Sequence, residues 1–190
     1  MHQLRKVIFG MSIFCIMTTS AIAQPMPDAS FLAAIKSAVH DSPSFIDPID
    51  AQVWLVDMST RLKPRIKNLN ERLTLLKLIL AEAHKHDLEP ELILAIIQVE
   101  SNFDQYAISS AGARGLMQIM PFWIKEIGSP KDDLFNIKTN LRYGCAILKQ
   151  YLKRDKGNLT RALARYNGSR RTDKYPLKVY QAIKHTWFKG

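Results

Sequence analysis

Only two of the 190 residues, Cys15 and Cys145, are cysteines, which excludes the disulfide lattice that staples small exported domains. Cys15 falls in an amino-terminal segment expected to be removed, and it lacks the Leu-x-Gly/Ala-Cys context of a lipoprotein signal, so no lipid anchor is expected. Cys145 then stands alone in an apolar helical stretch and reads as a small buried hydrophobe. No apolar run reaches the roughly 20 residues that a membrane-spanning helix needs. No His-Glu-x-x-His pattern occurs. Glu82, His84 and His86 are close in sequence, but helical spacing keeps the two imidazoles apart, so they read as surface histidines and neither a metal nor another cofactor is expected. Internal repeats, low-complexity tracts and alternating strand patterns are all missing. Acids are in deficit, 17 against 27 Lys and Arg, for a formal charge of +10. That balance favours an anionic partner, and taking Arg5 and Lys6 from it leaves +8. The basic residues are scattered over helices instead of forming a groove-reading motif, so nucleic acid is not the expected partner.

What the chain does have is a basic start, an apolar centre from Val7 to Met17 and the small residues Ala21-x-Ala23, the pattern of a secretory signal peptide over residues 1–23. A periplasmic protein without a membrane span is expected after its removal. The rest reads as helix nearly throughout, so the predicted class is all-α. Helices are predicted over residues 28–40 and 49–62, in an amino-terminal helical extension spanning 24–68. A main domain, 69–190, follows. Its first helix has Asn70 as the candidate cap and Leu73, Leu76, Leu80 and Ala83 on one face, ending near His86. Pro90 pre-sets the first turn of the next helix, which is apolar nearly all round from Leu92 to Val99 and therefore central. A loop to Gly115, short helices over 116–120 and 123–127, a long one over 137–154 and two more over 159–166 and 176–187 complete the prediction.

Glu100 ends the apolar helix. A carboxylate there is costly to desolvate when ionised, so its pKa should rise. An acid that stays protonated near neutral pH suits proton donation to a glycosidic oxygen. The bland alternative is a helix-terminal Glu facing water. Asp104, the nearest acid downstream, reads as a loop residue.

Three separated segments sharpen this: Glu100-Ser101; Ser109-x-Ala111-Gly112-Ala113-x-Gly115-Leu116-Met117-Gln118-Ile119-Met120-Pro121; and Ala164-x-Tyr166-Asn167-Gly168. With the intervening Asn136-Ile137-x-x-Asn140-Leu141-x-x-Gly144-x-x-Ile147-Leu148, they resemble the catalytic domain of the soluble lytic transglycosylases, in order and in spacing. The resemblance implies a lysozyme-like helical domain, related to goose-type lysozymes, that cuts the β-1,4 bond between N-acetylmuramic acid and N-acetylglucosamine in peptidoglycan strands. It implies a 1,6-anhydro product, with Glu100 acting first as acid and then as base. It places Ser109, Gln118, Met120, Tyr166 and Asn167 along the cleft and Ser101 beside the acid, with Ser101 and Asn167 fitting either contact with sugar or orientation of the Glu100 helix. Thr172 and Tyr175 align with a Thr-x-x-Tyr element whose Tyr reaches the site, although Arg171 stands where that element has a Glu. A hydrolytic muramidase and an inactive peptidoglycan-binding module remain alternatives. A secretion or conjugation machine is a further possible partner, contacted through residues 24–68. Met117 and Met120 fit core as well as cleft, and Gly112 and Gly115 fit a tight turn.

Overall fold

The computed structural model describes residues 48–169 and 172–188. The signal segment expected over 1–23, the helix expected over 28–40 and Arg171 lie outside the described residues. Seven α-helices follow in order: α1 (Pro48–Leu62), α2 (Leu69–His86), α3 (Pro90–Glu100), α4 (Trp123–Ile127), α5 (Ile137–Arg154), α6 (Leu159–Tyr166) and α7 (Lys174–Ala182). A π-helical turn, Ile183–Trp187, ends the described chain. Among the described residues no strand forms, and the all-α class read from the sequence is what the structure has. Only isolated bridges join Arg114 to Ile108 and to Ile119.

The centre is α3. Leu92 through Ile97 are all buried, as expected of a helix apolar on every side. It packs against α2, α7 and the π-turn, while α5 packs on α2 and α6. Helix α1 joins the same core: Leu55, Met58 and Leu62 are fully buried. Polar ties fix it further. Trp54 donates through Nε1 to Glu91 at 2.7 Å, and Arg61 to the carbonyl of Thr186 at 2.9 Å. Buried Arg72 of α2 donates to Ser59 of α1 and to the carbonyls of Ile66 and Lys67. Its charge therefore ends on acceptors at the α1–α2 junction, as a buried guanidinium requires.

Three local expectations are corrected. The cap of α2 is Asn68, not Asn70, and its side chain accepts from the Glu71 amide. The reason is in the sequence: Asn68 has a Glu three residues on, the capping-box spacing, whereas Asn70 has Leu73. Residues 116–118 are turns and Ile119 an isolated bridge, not a helix, because Gln118 takes a positive φ of 51° that no α-helix tolerates. His86 is half-buried, with Nε2 3.4 Å from the buried carboxylate of Glu82, so of the two helix histidines His84 alone faces solvent. Cys145 is buried, as expected, and burial raises its thiol pKa. Among the described residues no cluster of His, Cys, Asp or Glu is placed to hold a metal, and no helix is long and apolar enough to cross a membrane.

Candidate active site

Glu100 stands at the last turn of α3, where the apolar helix meets the loop. The chain turns sharply there: Asn102 and Phe103 both adopt left-handed backbone, with φ of 49° and 70°. Such conformations are costly for non-glycine residues and persist where the surroundings impose them. Ser101 supplies part of that restraint, its hydroxyl donating to the carbonyls of Leu116 at 2.8 Å and Ile97 at 3.2 Å. It thus fastens the end of α3 to the opposite loop, its hydroxyl directed to main-chain carbonyls and not to Glu100.

The Glu100 residue is half-buried, keeping a face to solvent. Burial nevertheless pushes its carboxyl from the usual 4.5 up to about 7, against the opposing pull of a hydrogen bond from Tyr175. That bond, from the Tyr175 hydroxyl to Glu100 Oε1, is 2.7 Å long. Tyr175 lies in the first turn of α7, buried, and burial raises its own pKa well above the ordinary phenol value. Tyr166, at the end of α6, is close enough for the charge of Glu100 to disfavour its ionisation too. Its hydroxyl, however, donates to the carbonyl of Met117 at 2.8 Å. The two tyrosines thus divide the work: Tyr175 touches the acid and Tyr166 braces the facing loop.

That loop is built from the Gly112–Met120 segment of the motif. Gly112 and Gly115 have φ of 85° and 75°, and Gly115 has no room for a side chain, since a Cβ would lie 2.5 Å from the carbonyl oxygen of Leu134. Ser109 closes the turn, its hydroxyl accepting from the Ala113 amide at 3.0 Å. The strained backbone of Gln118 turns its amide back to donate to the carbonyls of Gly115 at 2.9 Å and Ala107 at 3.1 Å. Met117 is fully buried while Met120 is half-buried, so the first is core. Asn167 is exposed at the carboxyl end of α6. Asp104 accepts from the Tyr106 amide at 2.9 Å, closing a turn.

Sequence reasoning left one organiser unassigned. Asn140, 1% exposed on α5, accepts from the Met117 amide at 2.7 Å and donates to the carbonyls of Arg114 at 2.9 Å and Leu134 at 2.7 Å. One side chain satisfies three main-chain groups of the loop that carries Gln118. One turn on, Gly144 leaves space that Met117 fills; a Cβ there would lie 2.2 Å from the Met117 sulfur.

An all-α domain that raises one carboxyl at the end of its central helix, under two tyrosines and beside a pinned loop, defines the class. The chain belongs to the Transglycosylase SLT domain family, whose pattern it matches over residues 77–188, and with that membership goes the lysozyme-like fold. It is similar to a transglycosylase of Enterobacteria phage PRD1, 32% identical over 110 residues that cover 54% of this chain and 40% of the relative. It is also similar to the membrane-bound lytic murein transglycosylase C of Histophilus somni, 43% identical over 90 residues covering 43% and 24%. To the membrane-bound lytic murein transglycosylase F of Desulfosudis oleivorans it is 32% identical over 127 residues, covering 64% and 25%. The chain thus spans at most 40% of the length of these relatives. Among solved structures, an inactive mutant of the lytic transglycosylase Slt from Pseudomonas aeruginosa is 23% identical, with a TM-score of 0.48, over 81% of this chain and 31% of that one.

Tyr175→Phe provides a test of the site's electrostatics. The hydroxyl favours ionised Glu100, so its loss should move the carboxyl pKa above about 7. If Glu100 must be protonated to act, the alkaline limb of the pH–rate profile should move up with it. An unmoved limb would mean that the bond does not tune the acid.

Proposed function

We propose that the protein is a peptidoglycan lytic transglycosylase with Glu100 as its one catalytic carboxyl. The observation that carries this reading is an acid raised to about 7 by burial at the motif position of a family whose relatives bear that name. Protonated Glu100 donates to the glycosidic oxygen between N-acetylmuramic acid and N-acetylglucosamine, and the C1–O bond breaks. The carboxylate left behind takes the proton of the muramyl C6 hydroxyl, whose oxygen bonds to C1 and closes the 1,6-anhydro ring. Glu100 ends each cycle protonated, ready for the next. Because nucleophile and electrophile belong to one sugar, the second step is intramolecular, a gain of several kcal/mol over a bimolecular attack. Paired-carboxylate glycosidases instead place two acids about the bond. Here the shift of Glu100 comes from burial and Tyr175, with no contribution from a neighbouring carboxylate.

Ser101, Ser109 and Gln118 shape the cleft through the bonds already described, with Met120, Tyr166 and Asn167 beside it. Peptidoglycan is anionic and lies outside the cytoplasmic membrane, which accords with the positive charge and with the signal pattern of residues 1–23. Work within a secretion or conjugation machine would be the same chemistry applied locally.

Digestion of purified peptidoglycan, with muropeptides resolved by mass, tests the proposal. The expected products are lighter by one water than reducing-end muropeptides. Reducing ends would establish a hydrolase, and no release would leave only a binding module.

A further inference from the structure

Helix α4 and the adjoining face of α5 carry an aromatic group that the motifs leave unused. Of the three tryptophans, Trp54 and Trp187 are buried, 5% and 0% exposed, whereas Trp123 is only half-buried. Phe122, beside it, is 54% exposed. Their ring centroids lie 5.2 Å apart at 32°, and Trp123 meets Tyr151 of α5 edge-on at 6.5 Å. Tyr151 in turn lies near enough to Tyr166 to influence its ionisation. The rings of Tyr151, Trp123 and Phe122 thus run from α5 to α4. They border a groove of about 280 Å³ lined by Trp123, Ile127 and Ile147, with Arg142 and Gln150 at its polar edge.

Trp123 and Tyr151 pack only partly into the core and Phe122 stays exposed, so the three rings keep apolar surface that a ligand can cover. A pyranose suits it. Its C–H faces are apolar and lie flat on an indole, while its hydroxyl and acetamido groups point outward to polar partners such as Gln150. The groove holds one sugar ring and is small for a larger ligand. Helix α4 follows directly on the loop that Tyr166 braces, the Trp123 amide donating to the Met120 carbonyl at 3.0 Å, which favours another residue of the same glycan strand over an unrelated ligand.

We infer that Trp123, with Phe122 and Tyr151 beside it, forms a subsite for an N-acetylhexosamine ring of the strand, remote from the bond being cut. The inference rests on the reading of the protein as a glycan-cleaving enzyme. It assigns Trp123 to substrate binding and gives no part in proton transfer to any of the three rings.

The test uses the Glu100→Gln protein, which holds saccharide without turnover, titrated with a hexamer of N-acetylglucosamine. Saturating hexamer should shield Trp123 fluorescence from acrylamide, because the other two tryptophans are already buried. Adding Trp123→Ala should weaken binding by about tenfold, the scale of one aromatic contact, while Trp123→Phe should recover most of it. Unchanged affinity in Trp123→Ala, or fluorescence that stays equally quenchable with hexamer bound, would overturn the subsite. Should Trp123→Ala fail to fold, the shielding result decides alone. Release of anhydro products by the wild type without Trp123-dependent binding would remove the subsite and leave the reaction standing. Trp123-dependent binding without release would do the reverse.

Discussion

Replacing Glu100 by Gln should lower the rate of glycan cleavage by about 10³-fold, within the range that general acid catalysis contributes, while sparing saccharide binding. Gln can still accept the Tyr175 hydrogen bond, so the geometry of the site survives and only the transferable proton is lost. The same change should stabilise the fold. Between pH 4.5 and about 7 the folded protein holds a proton on Glu100 that the unfolded chain has released. Each rise in pH across that window therefore removes stability, and above about 7 the full loss is in place. A neutral Gln is free of it. At pH 8 the gain should be on the order of 2 kcal/mol once partial exposure is allowed for, or about 5 °C in Tm. At pH 4 it should vanish. Thermal melts of the two proteins at both pH values check this, and an equal Tm at pH 8 would show that the carboxyl is not held protonated by the fold.

Asn140→Ala should have the largest effect on stability. It strips partners from the Met117 amide and from the carbonyls of Arg114 and Leu134. A buried polar group left unpaired costs roughly 1–3 kcal/mol, so the three together should cost on the order of 4 kcal/mol, a large part of the 5–15 typical of a domain. A fall in Tm of about 10 °C is expected. Asn140→Asp should not rescue it, because a carboxylate keeps the acceptor for Met117 but faces two carbonyls it cannot donate to. Chemical denaturation of both variants measures the loss. A change below about 1 kcal/mol would mean that water replaces Asn140 and that the loop is pinned by other contacts. In whatever fraction stays folded, KM should rise, since Gln118 rides on the same loop.

The contrast between these two residues shows what the amino-acid pattern discloses. Glu100 was legible because its cause is local: an uninterrupted apolar helix before it and a motif after it. Helix boundaries were legible for the same reason, wherever Pro90 or an Asn cap marks a start. The exception, Asn70 against Asn68, turned on one Glu at the right spacing. Residues 116–120 were misread as helix because their conformation is set from elsewhere. Asn140 takes the Met117 amide from 23 residues away, and Gln118 is driven into left-handed backbone that Gln does not signal. Tyr175 was the least secure site residue in the sequence, given Arg171 in place of a Glu, yet in the structure it makes the direct bond to Glu100. Trp123 gave no sign beyond a helical pattern; only the burial of Trp54 and Trp187 makes its exposure informative.

The most direct test of Glu100 as a lone acid held protonated by its surroundings is a titration of its carboxyl carbon by NMR, assigned by difference from Glu100→Gln. A midpoint near 7 is expected. A midpoint near the ordinary 4.5 would contradict it, since the carboxyl would then have no proton to give at neutral pH.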